Sequence, residues 1–314
     1  MLVLDADTTR SLLPFDRLVP ALRDAFAQAC EVPLRHSHTV EVPGADSGTM
    51  LLMPAWRSGS YLGIKTVTIY PGNAALGLPG LHSTYLLHDA RSGRPLAFVD
   101  GNEITSRRTA AASALAASYL ARADATSLLV LGAGRVASLL PYAYRAIRPI
   151  KQVAVWDIDA AKADVLVARL QSDGFVARRV DTVAAGCAEA DIVSAATLST
   201  VPLVQRADLR DGIHLDLIGG FTPSMREAAP ECFAGTSVFV DTSEAIAKAG
   251  DLLGPIGQGL LTASAIRASL TGLCRGEHRG RMDEREITVF KAVGTALEDL
   301  AAAVMAYEGR TNPL

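Results

Sequence analysis

The sequence has few cysteines, little net charge and no long apolar run. The four cysteines among 314 residues are far apart and form no C-x-x-C pair, which favours buried free thiols over disulfides or a metal site. A net charge of only −3 gives no sign of a nucleic-acid partner. No apolar stretch approaches the roughly 18 residues of a membrane helix, and MLVLDADTTR lacks the basic start and apolar stretch of a signal peptide. We therefore expect a soluble, cytoplasmic protein with no metal and no membrane partner.

The length and the hydrophobic content of 49% predict a large core divided between two domains. Residues 32–68 contain short β-like runs separated by Pro and Gly, and the turn at residues 89–93 lies between two further runs as in a hairpin. From residue 123 onward apolar runs alternate with helical segments, which indicates a parallel sheet covered on both faces. The last long helix is expected over residues 284–307, packed back on the N-terminal domain.

A dinucleotide-binding motif follows the apolar run of residues 128–131. Gly132 permits a sharp turn, Gly134 has no Cβ to keep the backbone away from a pyrophosphate, and Ala137 lets a helix lie close to the sheet. Asp157 ends the next apolar run, where a carboxylate binds ribose hydroxyls and repels a 2′-phosphate. The alternative is a tight turn without a ligand. The order of strand, helix, strand and acid favours NAD(H), with NADP(H) as a second cofactor.

Several side chains in the N-terminal part are candidates for binding or catalysis. Lys65 lies in an alternating strand, and Arg108 lies in the first turn of an alanine-rich helix that we expect Thr105 to cap; neither has a neighbouring acid in sequence. The alternatives are a solvated strand residue for Lys65 and a surface charge for Arg108. Arg35 is a possible anion ligand, and His82, predicted in a loop, faces either the site or solvent.

Six segments together resemble the ornithine cyclodeaminase/mu-crystallin family, and most closely its ketimine reductases. They are GIKTVTIYP, VDGNEITSRRTAAASALAASYLA, LLVLGAGRVA, ADIVSAAT, LIGGFTPSMRE and EITVFKAVGTALEDLAAA. The resemblance implies an α/β fold in which a Rossmann NAD(P)-binding domain, residues 123–283, is inserted into an α+β domain, residues 1–122 plus 284–314. That second domain would bind substrate and form a homodimer.

The resemblance also implies roles for individual residues. Lys65, Arg108 and Arg35 would hold the carboxylate of a small amino or imino acid. Together with the glycine motif, it predicts a cofactor site made of Gly132, Ala133, Gly134, Arg135, Val136, Asp157, Thr197, Ile218, Gly219, Gly220, Phe221 and Arg108.

Phe221 departs from the pattern of the cyclodeaminases, which have an aspartate there as the acid/base group. Because phenylalanine cannot transfer a proton, and a protonated C=N bond needs mainly an oriented hydride donor and cations for its carboxylate, the sequence favours a ketimine reductase. Its substrate would be Δ1-pyrroline-2-carboxylate, with Δ1-piperideine-2-carboxylate as a second. The alternatives are an ornithine cyclodeaminase with its base elsewhere and a ligand-binding protein without turnover.

Overall fold

The computed structural model describes residues 1–311 and confirms the predicted α/β class. The strands are β1 (Leu2–Leu4), β2 (His36–Val40), β3 (Gly48–Trp56), β4 (Tyr61–Ile69), β5 (Leu81–Asp89), β6 (Pro95–Asp100), β7 (Ser127–Leu131), β8 (Gln152–Trp156), β9 (Val176–Arg179), β10 (Ile192–Ala195), β11 (His214–Leu217), β12 (Ser237–Val240), β13 (Ala268–Ser269) and β14 (Thr288–Lys291). The α-helices are α1 (Ala6–Leu12), α2 (Phe15–Ala27), α3 (Gly101–Leu120), α4 (Leu140–Arg145), α5 (Ala160–Ser172), α6 (Val183–Glu189), α7 (Glu244–Lys248), α8 (Gly250–Gly257), α9 (Leu270–Cys274) and α10 (Ala296–Thr311). Single 3-10 segments are Pro71–Leu76, Ala137–Leu139, Arg206–Asp208, Pro230–Phe233 and Ala263–Ala265.

The first compact unit consists of Met1–Arg108 and Thr295–Leu314. Its sheet has the order β1-β6-β5-β4-β3-β2 and is antiparallel except for the β1–β6 pair. The predicted hairpin is confirmed, because β5 and β6 pair directly around the Asp89 turn. Helix α10 packs on α2, β3 and β4, as expected of the last helix.

The second compact unit is Thr109–Gly294. Its parallel sheet has the order β13-β12-β14-β11-β10-β7-β8-β9. The run from β9 through β8, β7 and β10 to β11 has the strand order of a Rossmann fold, whose direction reverses between β7 and β10. Strands β7, β10, β11, β12 and β14 are almost completely buried, as expected for a sheet covered on both faces.

The predicted helix over residues 284–307 is wrong in its first part. Thr288, Val289 and Phe290 lie in β14, between β11 and β12, and are 0% exposed. These β-branched and aromatic residues favour a strand buried on both faces. The chain leaves the strand through Val293 and Gly294, whose N–H groups donate to Asp241 Oδ2 at 2.8 and 2.7 Å. The helix begins only at Ala296.

Helix α3 begins earlier than the sequence predicts. Its cap is Asp100, whose Oδ1 accepts the N–H of Glu103 at 2.7 Å, so the prediction of a Thr105 cap is wrong. Gly101 allows this early start, because a Cβ there would lie 2.4 Å from Ser83 Oγ. Arg108 consequently lies in the second turn of the helix.

Residues 1–311 contain no helix that is both long and apolar enough to cross a membrane. In the same part of the chain, no three His, Cys, Asp or Glu side chains are grouped so that they could hold a metal ion.

Candidate functional site

The turn after β7 has the geometry that the glycine motif predicts. Gly132 has a φ of +107°, and a Cβ on it would lie 2.9 Å from the carbonyl oxygen of Ala196, which follows β10. Any other side chain would therefore be both strained and too close. Gly134 is exposed and a Cβ there would meet nothing within 4 Å. This turn lies where the strand order reverses, which is where open α/β sheets bind dinucleotides.

Asp157 is held against this turn. Its Oδ2 accepts the N–H of Ala133 at 2.7 Å, and its Oδ1 accepts the N–H of Asp159 at 2.8 Å. Because a carboxylate has about four lone-pair sites, two remain for ribose hydroxyls. Next to the turn is a surface pocket of about 490 Å³, lined by Ala133, Gly134, Arg135, Ser138, Lys162 and Arg169.

The loops after β10 and β11 meet at one buried carboxylate. Glu227 Oε1 accepts the N–H and the hydroxyl of Thr197 at 2.7 and 2.8 Å. Its Oε2 accepts the N–H groups of Gly219 and Gly220 at 2.8 and 3.2 Å. A Cβ on Gly219 would lie 1.9 Å from the Thr197 carbonyl oxygen, so the close approach of the loops requires glycine. Ile218, just before this turn, is half-buried.

Two further charged side chains support Glu227. Asp251 Oδ1 accepts the backbone N–H of Glu227 at 2.7 Å, and its Oδ2 lies 2.8 Å from Lys291 Nζ. Lys291 Nζ is 3.9 Å from Glu227 Oε2, and both side chains are 0% exposed. Burial raises the pKa of Glu227 to about 7, and the charge of Asp251 adds to this rise, while Lys291 and the Thr197 donors oppose it.

The second unit therefore contains the groups that a nicotinamide dinucleotide requires. They are a glycine turn with free space, an oriented carboxylate, and a second glycine turn at the carboxyl end of a neighbouring strand. Phe221 directly follows the second glycine turn and is 37% exposed. No acid occupies that position.

In the first unit, Lys65 and Arg108 are brought together by an acid. Lys65 Nζ is 2.7 Å from Asp299 Oδ2, and Arg108 Nε donates to Asp299 Oδ1 at 2.9 Å. Arg108 Nη1 also donates to Glu298 Oε2 at 2.5 Å. Lys65 and Arg108 are 2% and 6% exposed, which excludes a solvated strand residue and a surface helix charge.

Burial and the neighbouring charges shift the pKa values of the groups in this cluster. The pKa of Lys65 is lowered to about 8, because burial and the charge of Arg108 together outweigh the opposing effect of Asp299. Burial alone would lower the pKa of Arg108, but Asp299 and Glu298 outweigh it and the pKa is raised. Burial would raise the pKa of Asp299, but the two cations outweigh that effect and lower it.

The other two predicted residues of this unit, Arg35 and His82, lie on or next to strands of the same sheet. Arg35 is half-buried and directly precedes β2. His82 lies on β5 opposite Thr68, so the prediction of a loop is wrong. Because Lys65 pairs with Tyr85, three residues beyond His82, the side chains of His82 and Lys65 point to opposite faces of the sheet.

The acids of both clusters were missed from the sequence. Asp299 is 191 residues from Arg108, and no local pattern joins such distant charges. Signals were nevertheless present in the segments that carry the family resemblance. Glu298 and Asp299 are the acidic pair of TALEDLAAA, and Glu227 is the last residue of FTPSMRE.

Comparisons with known proteins agree over the whole chain. The sequence profile of the ornithine cyclodeaminase/mu-crystallin family matches residues 1–312. The Δ1-pyrroline-2-carboxylate reductase of Paracoccus denitrificans is 40% identical over 279 residues, which is 86% of this chain and 88% of that protein. The structure of Thermococcus litoralis Δ1-pyrroline-2-carboxylate reductase in complex with NADH and L-proline superposes with a TM-score of 0.92 at 31% identity, covering 99% and 98% of the two chains. An archaeal alanine dehydrogenase dimer with bound NAD gives a TM-score of 0.91 at 27% identity, with coverage of 100% and 97%.

Proposed function

The chain belongs to the ornithine cyclodeaminase/mu-crystallin family, and we propose that it reduces cyclic ketimine carboxylates with a nicotinamide cofactor. The substrates are Δ1-pyrroline-2-carboxylate, which gives L-proline, and Δ1-piperideine-2-carboxylate, which gives L-pipecolate. The observation that carries the proposal is Phe221, which follows Gly219 and Gly220 where cyclodeaminases have their aspartate. Imine reduction needs no acid at that position because a protonated C=N bond already accepts hydride. The names of the Paracoccus and Thermococcus relatives support the same choice.

The second unit binds the cofactor, which when bound supplies the hydride. The N–H groups after Ala133, with Arg135 and Val136, hold the pyrophosphate. Asp157 accepts hydrogen bonds from ribose hydroxyls, so NADH is the preferred form. NADPH is the second form, because Lys162 in the adjacent pocket can meet a 2′-phosphate. Thr197, Ile218, Gly219 and Gly220 border the nicotinamide.

Lys65 and Arg108 bind the substrate carboxylate. Asp299 holds both side chains in place, so that little side-chain freedom is lost when the substrate binds. Asp299 and Glu298 balance the two positive charges, and Arg35 is needed for a net attraction. Extending the β2–β3 pairing by one residue sets Arg35 opposite Met53, which itself pairs with Lys65.

One assay separates this function from its alternatives. Purified protein is mixed with NADH or NADPH and each cyclic imine, and in parallel with NAD⁺ and ornithine. A substrate-dependent fall in nicotinamide absorbance is the expected result. Release of ammonia from ornithine would instead indicate a cyclodeaminase, and cofactor binding without any turnover would indicate a ligand-binding protein. The buried Lys65–Asp299 and Arg108–Asp299 pairs argue against loss of catalysis.

The protein works as a homodimer through the outer face of the first sheet. A row of apolar side chains crosses five strands there, and its members are Val3, Phe98, Leu86, Ile64 and Pro54. Val3 and Phe98 are 71% and 39% exposed, and a second copy of the same face would bury them. The mass in solution tests this assembly, since Phe98→Asp should yield monomers.

We place the enzyme in the cytoplasm. None of Cys30, Cys187, Cys232 and Cys274 forms a disulfide, as is usual for proteins of reducing compartments. Fractionation of cells that produce the protein tests this location.

A further inference from the structure

Glu227 connects the loop after β10 to the loop after β11. Its two carboxylate oxygens accept four hydrogen bonds, two from Thr197 after β10 and two from Gly219 and Gly220 after β11. Strands β10 and β11 are direct parallel neighbours, with Ala195 opposite Leu217. One side chain therefore sets the distance between two loops at the carboxyl edge of the sheet.

Only a carboxylate can satisfy these four donors. An ionised carboxylate is an acceptor at both oxygens, whereas a glutamine would turn an NH₂ group toward one pair of donors. The loops already lie close to this carboxylate, since a Cβ on Gly219 would be 2.4 Å from Glu227 Oε1. Loss of the acceptor would leave the N–H groups of one loop unsatisfied and shift that loop.

The surroundings of Glu227 keep it in this role. Its backbone N–H donates to Asp251, its charge is offset by Lys291, and all three side chains are buried. Both oxygens are occupied by loop donors and the residue is 0% exposed. Glu227 thus acts through Thr197 and the glycine turn and does not touch a ligand itself.

We propose that Glu227 is a positioning residue for the nicotinamide half of the cofactor, holding Thr197 and the Gly219-Gly220 turn in the arrangement that accepts it. This role rests on the proposed cofactor function. The adenosine half of the cofactor would bind at a separate part of the site, the turn at Gly132 with Asp157, which Glu227 does not contact.

The test compares NADH with ADP-ribose, which has the adenosine and pyrophosphate but no nicotinamide. Direct binding of each ligand is measured by calorimetry with the wild-type protein and with Glu227→Gln. The NADH dissociation constant should rise about tenfold in the variant, while that of ADP-ribose stays within about twofold. An unchanged NADH affinity, or an equal loss for both ligands, would overturn the role. A wild-type protein that does not bind NADH would instead overturn the proposed function, and this role with it.

Asp191→Asn is the matched control. Asp191 also joins two segments through backbone donors, accepting the N–H groups of Thr126 and Ser127 at 2.9 and 3.1 Å, but it does so before β7 and β10, at the opposite edge of the sheet. The control should lower the melting temperature and leave both dissociation constants unchanged.

The wild-type protein provides a second test that does not depend on folding of a variant. The ratio of NADH affinity to ADP-ribose affinity is measured from about pH 8 to about pH 6, and this ratio cancels any change in the shared half. The buried groups that face Glu227 are Lys291 from β14 and Asp251 from α8. Protonation of Glu227, whose pKa is raised to about 7, removes an acceptor. The affinity ratio should therefore decrease as the pH falls from about 8 to about 6. A ratio that rises as the pH falls would overturn the role.

Discussion

Lys65 and Asp299 form a buried ion pair, with Lys65 Nζ 2.7 Å from Asp299 Oδ2 and the two side chains 2% and 0% exposed. The pair joins the middle of β4 to the first turn of α10. Asp299 also accepts from Arg108, so this one acid sets the positions of both cations. Its place near a helix N-terminus favours the ionised form.

Asp299→Asn should lower the free energy of unfolding by about 3 to 5 kcal/mol, because it leaves two buried cations without their shared partner. Urea unfolding measures this change. Asp7→Asn is the control, since the exposed Asp7–Arg10 pair, at 2.8 Å, should contribute less than about 1 kcal/mol. Equal effects of the two variants would contradict the central position of Asp299.

Lys65→Ala and Arg108→Ala should each reduce kcat/KM for the cyclic imine by the equivalent of about 2 to 5 kcal/mol, with a smaller change in NADH affinity. Steady-state kinetics and NADH titration provide the two readouts. Near-wild-type turnover in either variant would show that the substituted residue does not bind the substrate.

Arg107→Ala is the matched control for these substitutions. Arg107 is the neighbour of Arg108 on α3, but its Nε donates to the Leu13 carbonyl oxygen at 2.8 Å and its guanidinium lies 4.6 Å from the centroid of the Phe15 ring. The control should lower the melting temperature and leave kcat/KM nearly unchanged.

Local patterns in the sequence predicted more of the fold than of the charge network. The glycine turn, the hairpin and strand β10 were predictable because turn residues and apolar runs act within a few positions. Strand β14 was not predictable, because its place between β11 and β12 is a non-local pairing and its residues also fit a helical pattern. The same limit applies to side chains. Lys65 and Arg108 could be proposed singly, but the acid that joins them lies in a helix at the far end of the chain.

The imine reductase activity should fall as pH rises through about 8, the pKa to which burial lowers Lys65. The neutral amine no longer binds the substrate carboxylate. The contribution of Lys65 to stability has the opposite sign: between the folded pKa of about 8 and the unfolded value of 10.5, the folded state binds fewer protons, so stability rises with pH. The titration of Lys65 itself therefore does not destabilise the fold. A pH profile of kcat/KM checks the prediction. Lys65→Arg, which stays charged, should lose this alkaline limb, and a limb that persists would belong to the substrate.

Asp157→Ser should relax the preference for NADH. The substitution removes the charge that repels a 2′-phosphate and the acceptor for ribose hydroxyls, so the ratio of kcat/KM with NADPH to that with NADH should rise. Kinetics with both cofactors measure the ratio. A wild-type protein that strongly prefers NADPH would contradict the role of Asp157. In that case Lys162, which is 69% exposed beside Asp159, would be the cation that attracts the 2′-phosphate despite the charge of Asp157. Lys162→Ala should then restore the preference for NADH.

Phe221 decides between imine reduction and cyclisation of ornithine. Cyclisation needs a group that takes a proton from the attacking amine, and the phenyl ring after Gly220 supplies none. We expect efficient reduction of the cyclic imines and negligible turnover of ornithine by the wild-type protein. We expect the phenyl ring to contact the apolar ring of the imine, so Phe221→Asp should weaken imine reduction by placing a charge there, whereas Phe221→Leu stays apolar and should retain it. Robust release of ammonia and proline from ornithine would contradict this assignment. A base would then have to act from elsewhere in the chain, and His82 is not that base, because its side chain lies on the sheet face opposite to that of Lys65.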